Sequence, residues 1–342
     1  MKVVVDKNTI NRIDKSKYEL IYVFDNETLE ELLKLDIHCI HKDYINELDI
    51  VDVNLTDYDI PCIKKANIED KDWDNIPEVR NYKIGVIIPN CNYENWLEKS
   101  IGSVLKQTYK NYQIIFVDDC STDNSVKIAK KLLKKPHKVI ELKQKRLNGG
   151  ARNEAYLHLD DDVDYVMYVD SDDWLLNENA LKIINDNLQG SPDVVFTGMS
   201  SYKNGKTEEI FEPDYKDRYD AMIGWSGSCG KIIRKGLATR QDCLYAEGTL
   251  KEDRNQHRRV CIKMNNFRLL KKPLYVWNRT NTKSVTTVRD NVIWGTSTIR
   301  HYADTLQLAL EVKGQDENID RIMDEAVKMC KKEMETGGDR QW

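Results

Sequence analysis

From Lys83 onward, short apolar runs alternate with amphipathic stretches. Ile84–Pro89 (IGVIIP) has the continuity and length of a buried strand and ends at a proline. Glu94–Gln107 spaces its apolar residues as a helix does. Tyr112–Asp118 (YQIIFVD) predicts a second strand, and Asp123–Leu133 an amphipathic helix capped by Asp123 or Ser121. Val139–Leu142 reads as a short strand, Gly150–Leu159 as a helix and Tyr165–Val169 (YVMYV) as a further strand. Strands alternating with helices predict an α/β domain with a mostly parallel sheet flanked by helices. Ligands of such sheets bind beyond the carboxyl ends of the strands. Polar, acid-rich segments follow the strands at just those ends.

The flanks read differently. Lys17–Phe24 and Ile37–Ile40 are strand-like, with a helix between them that Asn26 can cap. Residues 64–81 are polar and acidic, as in a linker. After residue 290 the pattern is helical: Thr296–Val312 and Glu317–Lys332 repeat apolar residues at spacings of three and four. The expected organisation is a small α/β module with its linker over 1–80, the main α/β domain over 83–290, and a helical extension over 291–342. Packing or an interface with a second copy is the expected role of those last helices, while the tail TGGDRQW should fray.

Composition narrows the class. The 342 residues are 40% hydrophobic, and no run approaches the ~20 apolar residues that cross a bilayer. The start, MKVVVDKNTI, lacks the apolar core of a signal peptide. Eight cysteines are dispersed without a C-x-x-C pair, as expected for free thiols in a reducing compartment. A soluble, cytoplasmic protein is the expectation. With 52 Lys+Arg against 57 Asp+Glu, the net charge of −5 argues against a general nucleic-acid coat.

Five segments carry candidate chemistry. In IIPNCNYENWLEKSIGSVLKQTY (87–109) a polar loop follows the first strand, which ends at the proline. In VDDCSTDNS (117–125) two adjacent carboxylates end the second; they repel one another, so at least one needs a partner, and a carboxylate can accept from the imide N–H of a pyrimidine. In Asn148-Gly149-Gly150-Ala151-Arg152, paired glycines permit close backbone approach and the arginine offers a planar fork for phosphate; a plain turn would use the same glycines. In VDSDDW (169–174), three carboxylates within four residues have no basic neighbour in sequence and call for a cation. Mg²⁺ or Mn²⁺ takes one or two carboxylates and then bridges to phosphate oxygens. Glu252-Asp253 is an acid pair of the kind that supplies a general base, although such pairs also favour helix N-termini.

In this order, IIPNCN, VDDCSTDNS, NGGARNEA, VDSDDW and KED resemble the family 2 glycosyltransferases of the GT-A fold, a Rossmann-like architecture, over about residues 83–285. The resemblance makes 83–290 a catalytic domain and implies a nucleoside diphosphate sugar, most often a UDP-sugar, as donor. Asp119 matches the acid that binds uracil. Pro89, Asn90 and Cys91 match the loop at the nucleoside; Cys91 stands where the family has an aromatic residue, with Tyr93 nearby. Asn148, Gly150 and Arg152 match the segment near the diphosphate. The D-x-D motif falls on Asp170, Ser171 and Asp172, with Asp172 as direct ligand of Mn²⁺ or Mg²⁺, Asp170 at the ribose or acting through water, and Asp173 reaching the donor sugar. Asp253, paired with Glu252, matches the base that deprotonates the acceptor hydroxyl in a single inverting displacement. Trp225 and Lys231 match positions near the acceptor, and Arg279 and Ser284 a late loop over the diphosphate. The Q-x-x-R-W signature of processive synthases is absent, since the chain reads Asn255-Gln256-His257-Arg258-Arg259-Val260. One sugar per encounter is expected.

Two basic stretches bear on the acceptor. Lys127–Arg152 holds ten basic residues and one acid, Glu141, and Arg254–Lys272 holds seven and no acid. They read either as solvated faces or as contacts to an anionic acceptor: a cell-surface polymer, a lipid headgroup, or viral DNA bases. Two competing classes predict other sequences. A nucleotidyltransferase needs a glycine-rich basic phosphate loop, which IIPNCNYEN lacks. A degenerate sugar-nucleotide-binding module would have lost acids that Asp119, Asp170, Asp172 and Asp253 retain.

Overall fold

The computed structural model describes residues 80–282 and 291–335 together with three strands near the start of the chain. Those strands, β1 (Lys2–Val5), β2 (Leu20–Val23) and β3 (Cys39–His41), form a parallel sheet in sequence order. Two of them fall on the strand-like runs at 17–24 and 37–40. The helix expected between them and nearly all of the linker lie outside the described residues. The chain divides into two compact units, one of Met1–Asn81 with Lys182–Ser191, the other of Tyr82–Leu181 with Pro192–Trp342.

The second unit is built on β4 (Ile84–Asn90), parallel to β5 (Tyr112–Asp118) on one side and to β7 (Tyr165–Tyr168) on the other, with β6 (Lys138–Glu141) parallel beyond β5. Every residue of β4, β5 and β7 is buried. That explains their unbroken apolar runs: a parallel strand covered on both faces has no polar side to show. Beyond β7 the sheet is mixed. It runs through β11 (Lys231–Arg234), β9 (Val194–Lys203) and β12 (Phe267–Asn278) to β8 (Trp174–Leu175), with β10 (Lys206–Phe211) hairpinned onto β9. Strand β11 is antiparallel to both its neighbours, whereas β12 runs parallel to β9. The β9–β10 turn is Asn204-Gly205, both with positive φ (53° and 79°), the two-residue turn whose twist suits a hairpin.

Helices α1 (Leu97–Leu105), α2 (Ser125–Leu132) and α3 (Leu147–Leu157) follow β4, β5 and β6 as the alternation predicts. Helix α2 begins two residues later than expected. Its N-cap is Asn124, and Asp123 instead accepts from the backbone N–H groups of Ser125 and Glu94. Helix α3 begins earlier, at Leu147, so the paired glycines lie in its first turn. Next come α4 (Ala180–Asn187), α5 (Arg218–Ile223), α6 (Lys235–Ala238), α7 (Glu252–Lys263), α8 (Asn291–Val312) and α9 (Glu317–Glu335). Among the described residues no helix is long and apolar enough to cross a membrane.

The core beneath the site centres on Phe196 of β9, 2% exposed, whose ring meets Tyr215, His257 and Phe267 edge-on at 5.2, 6.2 and 5.8 Å. Edge-to-face contacts align ring hydrogens with neighbouring π faces, adding to the area buried. We expect Phe196→Ala to lower unfolding free energy by about 3–5 kcal/mol in urea titration; a loss below about 1 kcal/mol would show that this cluster contributes little.

Candidate active site

The acids of the second motif sit at the end of β5, and each has an internal partner. Asp118 accepts from Asn90 Nδ2 (2.8 Å) and from the Ser121 N–H (2.8 Å). Asp119, 3% exposed, accepts from the backbone N–H groups of Arg146 (2.6 Å) and Leu147 (2.8 Å). Cys120 and Leu147 both adopt positive φ, 62° and 60°, which non-glycine residues rarely do. Such strain persists only where surroundings hold it, and it concentrates at functional sites. Cys91, beside Lys145 and Asp119, has its thiol raised, chiefly by burial. The Pro89 carbonyl accepts from Ser171 Oγ (2.8 Å), tying β4 to the D-x-D segment.

The glycines serve the protein's own packing. A Cβ on Gly149 would lie 2.5 Å from the Ala246 carbonyl, and one on Gly150 would lie 2.3 Å from Arg146 Cβ. Asn148 is half-buried in the same first turn. Arg152 does not face solvent: it is 2% exposed and donates to Asp170 Oδ1 (2.8 Å) and Glu252 Oε1 (2.6 Å). Tyr168 and Tyr245 flank its guanidinium, with ring centroids at 5.8 and 5.3 Å. Burial works against its charge, but Asp170 and Glu252 outweigh it and hold the pKa well above the usual value. The cation that the DSDD cluster lacks in local sequence therefore arrives from α3, in part.

The three acids of that cluster differ in environment. Asp170 has the arginine, and its N–H meets Tyr275 Oη (3.1 Å). Asp173 is buried and held by β12: it accepts from Tyr275 Oη (2.6 Å) and the Asn278 N–H (2.8 Å). Burial, with the charges of Asp172 and Asp170, raises it well above the carboxylate range. Asp172 accepts from Asn281 Nδ2 (2.7 Å), while burial and then Asp170 push it up to about 6. Tyr93 joins this group, its phenol raised by burial and by Asp172, Asp170 and Asp173. Among the described residues no three His, Cys, Asp or Glu side chains converge as a metal cage. The acids fit a cation that takes one or two carboxylates and completes its shell with phosphate and water; among the described residues Asp170 has a cationic partner, whereas Asp172 and Asp173 have none.

Glu252 and Asp253 open α7. Burial pushes Glu252 up to about 7 against the pull of Arg152, with Asp253 adding to the rise. Asp253 is half-buried and also raised by burial, against the opposing charges of Lys231 and Arg152. No described side chain donates a hydrogen bond to it. Lys231, 2% exposed, donates to the Ser226 carbonyl (3.0 Å) and faces His257 Nδ1 (3.2 Å). Since His257 Nε2 meets the Ala221 carbonyl (2.6 Å), which can only accept, Nε2 carries the proton and Nδ1 accepts from the lysine. Burial brings Lys231 down to about 8.

Trp225 packs against Phe211 (5.7 Å) and Trp277 (6.4 Å), and its buried indole N–H has no partner among the described residues. Arg279 is exposed and lies 5.3 Å from the Trp277 ring. Ser284 lies outside the described residues. Part of each basic stretch is neutralised internally: Lys130 pairs with Glu141, Lys138 with Asp160, Arg146 with Glu154 and Glu247, Arg254 with Glu333, Arg259 with Asp304, Lys263 with Asp242 and Lys271 with Asp214. Lys127, Lys131, Lys135, Lys143 and Lys145 remain exposed. Sequence reasoning missed Tyr275 and Asn281, which hold Asp173 and Asp172; a lone Tyr or Asn carries no signal of its own. A cavity of about 750 Å³ lined by residues such as Asn153, Arg240, Tyr245, Arg259 and Asp304 includes none of the motif acids.

Residues 85–238 match the model of Glycosyl transferase family 2. The poly(ribitol-phosphate) beta-glucosyltransferase of Bacillus spizizenii is 32% identical over 45% of this chain and 25% of its own length. The putative teichuronic acid biosynthesis glycosyltransferase TuaG of Bacillus subtilis is 31% identical over 46% of this chain and 68% of its own. This chain also spans 30% of the length of the Streptococcus pneumoniae glycosyltransferase GlyA. The crystal structure of S. aureus TarS 1-349 in complex with UDP-GlcNAc superimposes with a TM-score of 0.58 at 20% identity, covering 72% of this chain and 71% of that one. That likeness establishes the GT-A architecture.

Removing the cation should expose how the acids depend on it. Arg152→Met leaves Glu252 buried and unpaired, which typically costs about 3–5 kcal/mol. The fold favours protonated Glu252: its pKa rises from the ordinary 4.5 to about 7. Its contribution to stability therefore falls as pH climbs through that window. The variant's deficit in urea unfolding should accordingly be larger at pH 8 than at pH 5; equal deficits would remove Glu252 from the account.

Proposed function

This chain belongs to glycosyl transferase family 2, and from that premise we propose that it transfers one sugar from a UDP-sugar to an acceptor hydroxyl, with inversion and with a divalent metal. The observation that carries this reading is the single guanidinium of Arg152 joining Asp170 to Glu252. It brings the D-x-D and E-D segments, distant in sequence, to one place, as a donor and a general base require. Asp119 retains a lone pair on each oxygen for a uracil N–H after meeting its two backbone donors. Pro89, Asn90 and Cys91 border that nucleoside site. Arg152 acts here by holding Asp170 and Glu252 rather than by touching the diphosphate. Asp173 acts by orienting the strand β12 loop.

Asp172 would hold Mn²⁺ or Mg²⁺, helped by Asp170. The ion supplies Lewis-acid neutralisation of charge on the departing diphosphate. Asp253 is the base: it takes the acceptor proton as that oxygen attacks the anomeric carbon and the bond to the UDP oxygen breaks. A raised proton affinity suits the role, because a base works best near the operating pH. Lys231 faces Asp253 and stabilises its ionised form before substrate arrives. Relatives named for poly(ribitol-phosphate) and teichuronic acid support a hydroxyl on an anionic cell-surface polymer as acceptor, with the exposed lysines of 127–145 available to its charge.

Calorimetric titration with UDP-GlcNAc and UDP-glucose, each with Mn²⁺ and with chelator, tests the donor half. Asp172→Ala should abolish metal-dependent binding while the fold remains; unchanged affinity with metal present would sink the ligand assignment. For the second half, Asp253→Asn should bind donor normally yet lose turnover by about 10²–10⁴-fold. A variant keeping a tenth of the wild-type rate would show that the base lies elsewhere.

A further inference from the structure

The segment around Glu252 and Asp253 lies beyond residues 85–238, and the chain fastens it from behind. The Gly248 carbonyl accepts from Arg300 Nη1 (2.6 Å), and the Leu250 N–H donates to Ser297 Oγ (3.0 Å). Thr249 Oγ1 donates to the Ser297 carbonyl (3.2 Å). Lys251 Nζ donates to Glu333 Oε2 (2.8 Å), and Arg254 Nη1 to Glu333 Oε1 (3.0 Å). Asn255 Nδ2 donates to Asp304 Oδ2 (2.8 Å) and Thr305 Oγ1 (2.9 Å). Every residue from 248 to 255 is thus held by α8 or α9 except Glu252, which pairs with Arg152, and Asp253 beside it.

Two features show that this is a built contact. Gly248 has φ +67°, a backbone conformation that favours glycine, and a Cβ there would displace the Arg300 guanidinium that its carbonyl accepts from. Glu333 and Lys251 are 5% and 6% exposed, so their ion pair is almost dry. Burial opposes it, yet Lys251 and Arg254 hold Glu333 down to about 2, which keeps it ionised at neutral pH. A dry pair is strong only when its geometry is satisfied, and breaking one side leaves a stranded charge.

We propose that α8 and α9 form a brace that positions Asp253 for catalysis, with Glu333 as its principal positioning residue. The proposal rests on the reading of Asp253 as the base. Glu333 touches neither donor nor acceptor; it fixes the two cationic residues, Lys251 and Arg254, on either side of the acid pair. Holding a reacting group within a fraction of an ångström is worth large factors, and a shift of about 1 Å can cost 10²-fold.

The test uses the whole chain with UDP-GlcNAc and Mn²⁺, following UDP release to water together with amide hydrogen exchange. Glu333→Ala should lower kcat about 10²-fold with donor KM within about threefold of wild type. Exchange should accelerate over residues 249–258 and stay unchanged over β4, β5 and β7. Glu333→Gln keeps an acceptor oxygen and should recover part of kcat. Ser297→Ala, which leaves the buried charges intact, should loosen the same residues to a smaller degree. Wild-type exchange over 249–258 in the Glu333 variants would overturn the proposal, as would a general rise in exchange with donor affinity lost, the mark of a merely structural role. If wild type and Asp253→Asn release UDP equally, the base assignment fails. The brace is then judged by exchange alone.

Discussion

The site depends on one buried guanidinium. Arg152 is sealed from water between two tyrosine rings and two carboxylates drawn from different parts of the chain. Without it, Glu252 and Asp170 would repel each other, and the buried Glu252 would hold its charge without a partner. With it, β7 and α7 are locked to α3 at a single point. The same contact explains why the glycines beside it are needed. Close approach of α3 to the Ala246 carbonyl leaves no room for a Cβ at position 149.

Around that point the acids are unequal by design of their neighbours rather than by sequence. Asp170 has a cation, Asp173 has a phenol and a backbone N–H, and Asp172 has only an amide among its described hydrogen-bond donors. Neither Asp172 nor Asp173 has a cation among the described residues, and both carboxyls and the Tyr93 phenol are raised, chiefly by burial and then by the neighbouring acids. A free protein of this kind carries unfavourable electrostatics near neutral pH, which a bound cation would relieve. Stability given up in this way is a common feature of functional sites. At Asp119 the same idea takes a backbone form: the carboxylate holds Leu147 in a left-handed conformation that a leucine otherwise avoids.

Much of this was legible in the sequence, for reasons that can be named. The strands β4, β5 and β7 are buried on both faces, so their apolar runs stand out, and the acids that end them mark the ligand side of the sheet. Helix starts were less legible. Asn124 rather than Asp123 is the N-cap of α2, with Asp123 one residue earlier accepting from the Ser125 and Glu94 N–H groups, and α3 begins before its glycines because tertiary packing outweighs their poor propensity. Strands β9, β11 and β12 drew no assignment, although Asn204-Gly205 is a hairpin signal. Their polar insertions hide the period, and two register shifts interrupt β12 against β9. The basic stretches illustrate the opposite difficulty. Charge counted along a sequence ignores partners brought from elsewhere, and Glu333, Asp304, Asp242 and Asp214 pair with Arg254, Arg259, Lys263 and Lys271. Arg152 itself was visible as a residue but not as a bridge, because neither of its partners is near it in sequence.

The distance between Lys251 and Glu333, 82 positions along the chain, has a consequence for a molecule still emerging from the ribosome. The sheet up to β7 can collapse once its own residues are out, since its parallel strands need nothing later in the chain to pair. The acid pair, in contrast, waits for the last helix. At roughly 5–20 residues per second, several seconds separate synthesis of the acid pair from arrival of the residue that steadies it. During that interval the parallel strands can be paired while residues 251 and 254 still lack their contact to α9, so translation itself sets the order in which the two parts of the fold are completed.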